Sequence, residues 1–524
     1  MGFGENVAKI QRGTVDRISE LPEFILHSIL SNLDTKEVGR TSVLSKRWYE
    51  AWSSVPVLNF RLEDYKEYWD SSEKYGFSFD DDVIQSYLGF IDRTMQRYDT
   101  HKYRIRKLDL ELPTADKKIE PLVDKWIKIA VQNQVENLSI GTISPYSPES
   151  PHTSESSDYR LPEILFRAKS LKRLYCRDAV LPYYETMELI SLEDLTLVLE
   201  NVDIDMLQRI ITFCPLVEFT TISDLGKISL PWPRNMNEVM QSQFKASPLR
   251  KLVYRGVYRV VKWPFNMNVV ALKNLRELDI SSAIITDDIV SELASGLVAL
   301  ESLVLDSCSM LKCIMISSIS LKELRIIEVF NLMKVTIDAP NLIEFVCKCE
   351  VGTSLSLIRV SDHCNAQFSP LVNMMTDFTT TDWLIKLKKI LKETKSFQSL
   401  VIQLPNSLEI GPVAVEEEEL RNVVAGPPYK LRELKVQESY AFDWVEFLIM
   451  ALEGLFLICH PDSVSITTSS QDFSAEWVLD RLKLKVQRWK HPLKSIEVEG
   501  IDRSGLLSYR QQIEYTFRLS WLDL

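Results

Sequence analysis

Two rhythms of apolar residues divide this chain. From Ile18 to Trp52 it reads ISELPEFILHSILSNLDTKEVGRTSVLSKRWYEAW, where Leu21, Ile25 and Ile29 recur at i, i+4 and i+8, and Leu26, Leu30 and Leu33 fill the adjoining stripe. That spacing puts a broad apolar face on a first helix. Pro22 suits its first turn, where a missing N–H is no loss. Asp34 followed by Glu37 predicts the start of a second short helix, and Ser45 can cap a third that carries Trp48 and Trp52. Three helices in about 35 residues cannot bury so many large side chains among themselves. Part of this surface is therefore expected to pack on the rest of the chain or on another protein.

The remainder follows a period of two inside short segments. The pattern L-x-x-L-x-L, with other apolar residues allowed at the fixed positions, recurs at Ile105–Leu110, Val135–Ile140, Leu171–Cys176, Leu192–Leu197, Leu249–Tyr254 and Leu275–Ile280. It continues at Leu300–Leu305, Leu321–Ile326, Leu342–Cys347, Phe397–Ile402 and Leu431–Val436, with a copy at Leu493, Ile496 and Val498 and a weaker one at Leu216–Phe219. The middle residues Leu252, Leu278, Leu303, Leu324 and Phe345 are 26, 25, 21 and 21 residues apart, within the leucine-rich-repeat period of roughly 20–29. Each unit supplies one short strand and a return segment. No unit buries its apolar side alone, so neighbours stack and share a core. Cys308 closes L-x-x-L-x-L-x-x-C from Leu300, and Cys176 and Cys347 fall on the inward third position, so packing accounts for these thiols.

The fold class predicted is α/β: an N-terminal three-helix domain over 14–56, a helical connection over 57–104, an irregular leucine-rich-repeat solenoid over 105–500, and a C-terminal tail over 501–524. The spacing widens to 55 residues between Phe345 and Leu400, which implies inserted loops or degenerate units. Loop insertions are expected near 141–160, with Ser-Pro steps at Ser144, Ser147 and Ser150, and near 411–428, with the acidic run Glu416–Glu419.

Composition narrows the function. The chain has 524 residues and a formal charge of −12, which argues against nucleic acid as a partner, since that needs clustered Lys and Arg. The longest mostly apolar stretch, Phe447 to Cys459, is 13 residues and contains Glu453, short of the roughly 20 that span a bilayer. The first twenty residues hold no apolar signal core. A soluble, intracellular protein of the nucleus and/or cytoplasm, with no membrane partner, is expected. The eight cysteines form no C-x-x-C pair or even framework, as suits reduced thiols.

Catalytic chemistry leaves no trace. There is no GxxxxGK[ST], GxGxxG, GxSxG or HExxH, and only 16 glycines. The six histidines are scattered. His363-Cys364 with Cys347 and Cys349 is the nearest approach to a metal set, and its spacing suits no standard zinc module. No cofactor and no metal are expected.

The helical segment closely resembles an F-box, particularly the plant form, in Leu21-Pro22, Ile25, Ile29, Leu33, Val38, Thr41-Ser42-Val43-Leu44-Ser45-Lys46-Arg47-Trp48 and Trp52. Followed by irregular leucine-rich repeats, it resembles the plant family of F-box repeat proteins. The tail PLKSIEVEGIDRSGLLSYRQQ from Pro492 is similar to the opening of a module called FBD, from which the later residues depart. The resemblance implies a non-catalytic substrate-recognition subunit of a cullin-type (SCF) ubiquitin ligase. Leu21, Pro22, Ile25, Ile29, Leu33, Val43 and Trp48 would dock a Skp-type adaptor and, through it, a cullin. The x positions of the repeat strands, among them Tyr175, Arg177, Arg255, Asp279, Asp306, Arg325 and Lys348, would face a protein substrate. Two alternatives stay open: a receptor in which a small molecule holds the substrate, and an interaction scaffold without ligase function. A three-helix cap that merely shields the end of the repeats is the plain structural reading of the first fifty residues.

Overall fold

The computed structural model describes residues 18–62, 81–113, 118–142, 159–199, 214–224, 248–256, 272–350, 352–371, 381–394, 397–403, 428–437, 454–468, 493–507 and 510–521. Ser19, Tyr183, Glu185 and Asp362 are excepted, and the short pieces 210, 261–262, 448, 452 and 479–480 are added. The Ser-Pro steps and the run Glu416–Glu419 lie outside the described residues. Two compact units, 1–222 and 223–524, are described in turn.

The first unit opens with α1 (Glu23–Leu30), α2 (Thr35–Thr41) and α3 (Lys46–Ser54). The capping signals read from the sequence operate as expected: Asp34 Oδ1 accepts from the Glu37 N–H at 2.7 Å, and Ser45 Oγ from the Trp48 N–H at 3.3 Å. Leu26, Leu30, Val38, Trp48 and Ala51 fill the space between the helices. Arg47 donates to the Leu21 carbonyl at 2.6 Å, and His27 Nε2 lies 3.3 Å from Ser54 Oγ, so the two ends of α1 are tied to the two ends of α3.

A parallel ladder follows at once: β1 (Val57–Phe60), β2 (Lys107–Leu112), β3 (Asn137–Thr142), β4 (Arg173–Arg177) and β5 (Asp194–Leu199), each paired with the next. The ladder thus begins before residue 105, inside the stretch expected to be a helical connection. Val55, Leu58 and Phe60 are an inward triple in which Val and Phe stand for Leu. The helices α4 (Asp81–His101) and α5 (Glu120–Gln132) serve as returns. Tyr98 of α4 donates to the Val55 carbonyl at 2.5 Å, and the Arg97 guanidinium lies 4.0 Å from the Trp52 ring centre. The strand β6 (Phe219–Asp224) corrects the weak copy. Leu216 and Phe219 are exposed, whereas Val217, Thr220 and Ile222 are buried. The inward register is one residue later than read, and with a period of two such a slip exchanges the faces completely.

In the second unit β7 (Lys251–Gly256) begins a longer parallel ladder, and β8 (Val261–Lys262) pairs with β10 (Ala283–Ile284) beside it. The ladder runs through β9 (Glu277–Ser281), β11 (Ser302–Asp306), β13 (Glu323–Ile327), β15 (Glu344–Glu350), β17 (Asn365–Leu371), β18 (Phe397–Gln403), β19 (Tyr429–Gln437) and β20 (Cys459–Thr468). Leu252, Leu278, Leu303, Leu324, Phe345 and Ala366 stand in register along it, each at most 1% exposed. Burial of one such leucine contributes about 2 kcal/mol. The 55-residue gap holds a degenerate unit, because Cys364, Ala366 and Phe368 are its inward triple.

The return segments after β11, β13 and β15 form a second parallel sheet of β12 (Cys313–Ser317), β14 (Lys334–Ala339) and β16 (Ser354–Val360). In the unit before, the return is the helix Asp287–Gly296, whose Asp287 carboxylate accepts from the Lys312 and Cys313 N–H groups at 2.9 and 3.0 Å. The turn leaving β4, β9, β11 and β13 has one form. Asp178, Ser282, Ser307 and Glu328 adopt φ between 50° and 57°, and each donates its N–H to the neighbouring strand at 2.8–3.0 Å. One more ladder bond offsets the cost of a left-handed residue that is not glycine.

The C-terminal end differs from the expectation. The copy at Leu493, Ile496 and Val498 is not a parallel repeat. It belongs to β21 (Leu493–Leu507), which pairs antiparallel with β22 (Arg510–Trp521), itself antiparallel to β20. Residues 501–524 are accordingly not a separate tail, since most of them build this hairpin. Alternation of apolar residues is the same in either direction of pairing, so the pattern alone could not separate the two. Among the described residues no helix is long and apolar enough to cross a membrane.

Candidate interaction surfaces

Two surfaces contain the residues singled out in the sequence. On the helices the apolar residues divide. Leu26 and Leu30 are fully buried, while Ile18, Phe24, Ile29, Leu33, Val43, Leu44 and Tyr49 lie on the outside, Val43 at 85% exposure. Of the expected docking residues, Pro22, Ile29, Leu33 and Val43 are exposed and Leu21 and Ile25 are half-buried. Trp48 is only 7% exposed, because it lies with Ala51 on the buried side of α3. It is a core residue that holds the surface in place and does not form part of it. Phe24, Leu44, Tyr49 and Ile18 were missed. A signal existed for Phe24, which lies about 200° around α1 from Leu26 at 100° per residue.

The outward side of the strands is built from charges that neutralise one another. Arg255 meets Asp279 at 2.6 Å, and Lys251 meets Glu277 at 2.6 Å. Arg325 bridges Glu323 at 2.5 Å and Glu344 at 2.9 Å, and Lys348 reaches Glu328 at 2.6 Å. Arg177 lies 3.7 Å from Asp178, and burial holds the neighbouring Tyr175 phenol above its usual range. Burial also raises the Asp306 carboxyl, with Glu328 and Asp279 adding to the effect against the Ser307 hydroxyl, which donates to it at 2.8 Å. Arg255, Asp279, Asp306, Arg325 and Lys348 thus share one side of one ladder. Tyr175 and Arg177 lie in the first unit. Exposed ion pairs of this type contribute little to stability.

The cysteines behave as packing. Cys176, Cys308 and Cys347 are 0% exposed, and burial pushes the Cys176 thiol up to about 12. Cys347 and Cys349 lie with their sulfurs 3.3 Å apart inside the strand, while His363 is exposed. Among the described residues no group of three His, Cys, Asp or Glu is arranged to hold a metal.

Comparison with known proteins bears on both surfaces. Residues 18–60 match the F-box domain family, which covers the helices with the outward apolar residues and the strand β1. Residues 220–364 match the leucine-rich repeats described for the FBD-associated F-box protein At5g56370. The chain carries an F-box and leucine-rich repeats of the plant FBD-associated type. Similar proteins of Arabidopsis thaliana include the putative F-box/LRR-repeat protein At5g02700, 28% identical over 40% of this chain and 38% of its own length. The putative F-box/FBD/LRR-repeat protein At5g22670 is 31% identical over 40% of this chain and 41% of its own. The F-box protein At5g03100 is 31% identical over 40% of this chain and 57% of its own. The chain spans about two-fifths of the length of most of these relatives. The F-box match runs four residues later at each end than the boundaries 14–56 read from the sequence, and its end takes in β1.

Proposed function

We propose that this chain is the non-catalytic substrate-recognition subunit of an SCF-type cullin ubiquitin ligase. In this reading the F-box is a three-helix module that docks a Skp-type adaptor and, through it, a cullin. The repeats form a solenoid whose outward strand side holds a protein destined for ubiquitination. Tethering both to one scaffold raises the effective concentration of substrate lysines near the conjugating enzyme, and this requires no chemistry from the chain itself. The observation that carries the reading is the outward placement of Phe24, Ile29, Leu33, Val43 and Leu44 on helices that match an F-box. An isolated cap would turn such residues inward, whereas an apolar surface of this kind on a small helical module marks a protein interface.

The eight free cysteines, seven of them buried, suit a reducing compartment, and the proposed place of action is the nucleus or cytoplasm. The reading is tested by co-purifying the chain with a Skp-type adaptor and a cullin. The wild-type chain is expected to retain both. The Leu21→Ala/Pro22→Ala double variant is expected to lose both, and its retention of the adaptor would count against the assignment.

A further inference from the structure

A polar hollow of about 360 Å³ lies in the second unit near the start of β18 and β19, lined by Asn365, Gln398, Ser399, Arg432, Glu433 and Ser463. Ser399, Glu433 and Ser463 stand in register on three neighbouring strands, on the opposite side to the buried Leu400, Leu434 and Val464. The hollow thus belongs to the outward side of the ladder, and its volume is within the roughly 300–1,000 Å³ common for sites that hold small groups.

Most of its polar atoms are already committed. Glu433 accepts from the Ser465 hydroxyl at 3.4 Å, and its other oxygen lies 3.4 Å from the Lys435 ammonium. The Gln398 amide donates to the Cys364 carbonyl at 3.4 Å, and the Ser463 hydroxyl to the Arg432 carbonyl at 3.3 Å. Three groups are not committed: the Asn365 amide, the Ser399 hydroxyl and the Arg432 guanidinium. Ser399 is 7% exposed and its Oγ has no hydrogen-bond partner. Among the described residues no carboxylate lies within ion-pair distance of the Arg432 guanidinium.

The Ser399 Oγ is closed to solvent and has no partner, so a guest accepts from it once rotation about χ1 turns the hydroxyl toward the hollow, and that bond recovers the cost of an unpaired buried group. A guanidinium presents a planar fork of donors that fits two carboxylate oxygens. Among the described lining residues Glu433 alone carries a carboxylate, and the Lys435 ammonium 3.4 Å away offsets its charge. We infer that this hollow binds a carboxylate side chain of an acidic peptide segment, held by Arg432 and Ser399 with the Asn365 amide beside them. That the segment belongs to the captured substrate rests on the function proposed above; the chemistry of the hollow does not.

The test uses the full chain in complex with a Skp-type adaptor and four immobilised peptide pools. The pools have random flanks and one fixed central residue: Asp, Asn, Lys or phosphoserine. The fixed-Asp pool is expected to bind at least tenfold better than the fixed-Asn pool. Arg432→Gln is expected to remove that preference, and Ser399→Ala to weaken it several-fold while raising the Tm, because it deletes an unpaired buried group. Equal binding of the Asp and Asn pools, or a preference that survives Arg432→Gln, overturns the inference. So does capture of the phosphoserine pool alone, which would assign the site to phosphate, and so does a Ser399→Ala chain of lowered Tm, which would show the hydroxyl committed internally. Adaptor capture is read on the same preparations with the chain immobilised directly. An Asp preference without adaptor binding would sink the ligase reading and leave the hollow assigned, and the reverse result would do the opposite.

Discussion

The F-box helices and the repeat ladder solve the same problem in opposite ways. In the ladder the central leucines of the strands point inward, with Leu303 and Leu324 at 0% exposure, and the outer side carries ions that pair across neighbouring strands. The helices, built from residues just as apolar, leave Phe24, Val43 and Leu44 more than half exposed. A repeat can pass its apolar side to the next repeat, whereas a module of three short helices has no successor to cover it. Exposure in one region and self-neutralisation in the other therefore carry different information. The first points to a partner that supplies apolar surface, and the second to a scaffold that offers polar recognition without a strong field of its own.

Substitutions can break that contrast. The largest effect is expected from Trp48→Ala, which empties a buried space on the inner side of α3 and should cost about 3–5 kcal/mol. Denaturant unfolding reads that cost, and adaptor capture should be abolished as well, since the residues proposed for docking lose their support. Leu324→Ala in the ladder should cost about 2–5 kcal/mol yet leave adaptor capture intact at temperatures where the chain stays folded. Equal sensitivity of capture to both would erase the distinction between the regions.

Smaller effects concern the outer charges. The Lys172 ammonium, hydrogen-bonded to Glu136 at 3.0 Å, holds that carboxyl below its usual range, and Arg104 at 2.5 Å adds to the effect. Because the folded value is depressed, the stability it lends is present above the ordinary carboxylate range and is lost as pH falls through the folded value. Glu136→Gln should remove this part of the acid dependence and lower stability at neutral pH by about 1 kcal/mol. Asp306 has the opposite sign. Burial raises its carboxyl, so the folded chain holds the proton longer than the unfolded chain, and stability falls as pH rises from the ordinary carboxylate value to the raised one. Asp306→Asn should therefore raise the Tm slightly at neutral pH and flatten that window, as thermal unfolding at several pH values would read.

Much of this organisation was legible in the sequence, and the exceptions have physical causes. The caps at Asp34 and Ser45 and the inward triples from Leu249 to Cys347 could be read because local hydrogen bonding and a period of two leave direct marks on residue order. The unit at Cys364, Ala366 and Phe368 escaped notice because alanine and phenylalanine fill the same column only when their neighbours adjust, which is a property of the stack and not of the segment. The hairpin of β21 and β22 was read as a repeat because strand direction leaves no mark on alternation. On the outward side of the helices the sequence supplied Pro22, Ile29, Leu33 and Val43 but could not tell that Trp48 is packed inside, since a tryptophan serves equally well as a core residue or an interface residue. The hollow around Ser399 and Arg432 had no local signature at all, because its lining comes from four strands.

The claim on which the account depends is that the outward apolar residues of the helices are a docking surface. The direct measurement is the affinity for a Skp-type adaptor, by calorimetry, of the wild-type chain and a Leu33→Asp/Val43→Asp chain, each with its Tm. Both residues are exposed, so the double variant should keep the wild-type Tm to within a few degrees and lose at least about 100-fold in affinity, roughly 2.7 kcal/mol. An unchanged affinity in a folded double variant would contradict the account.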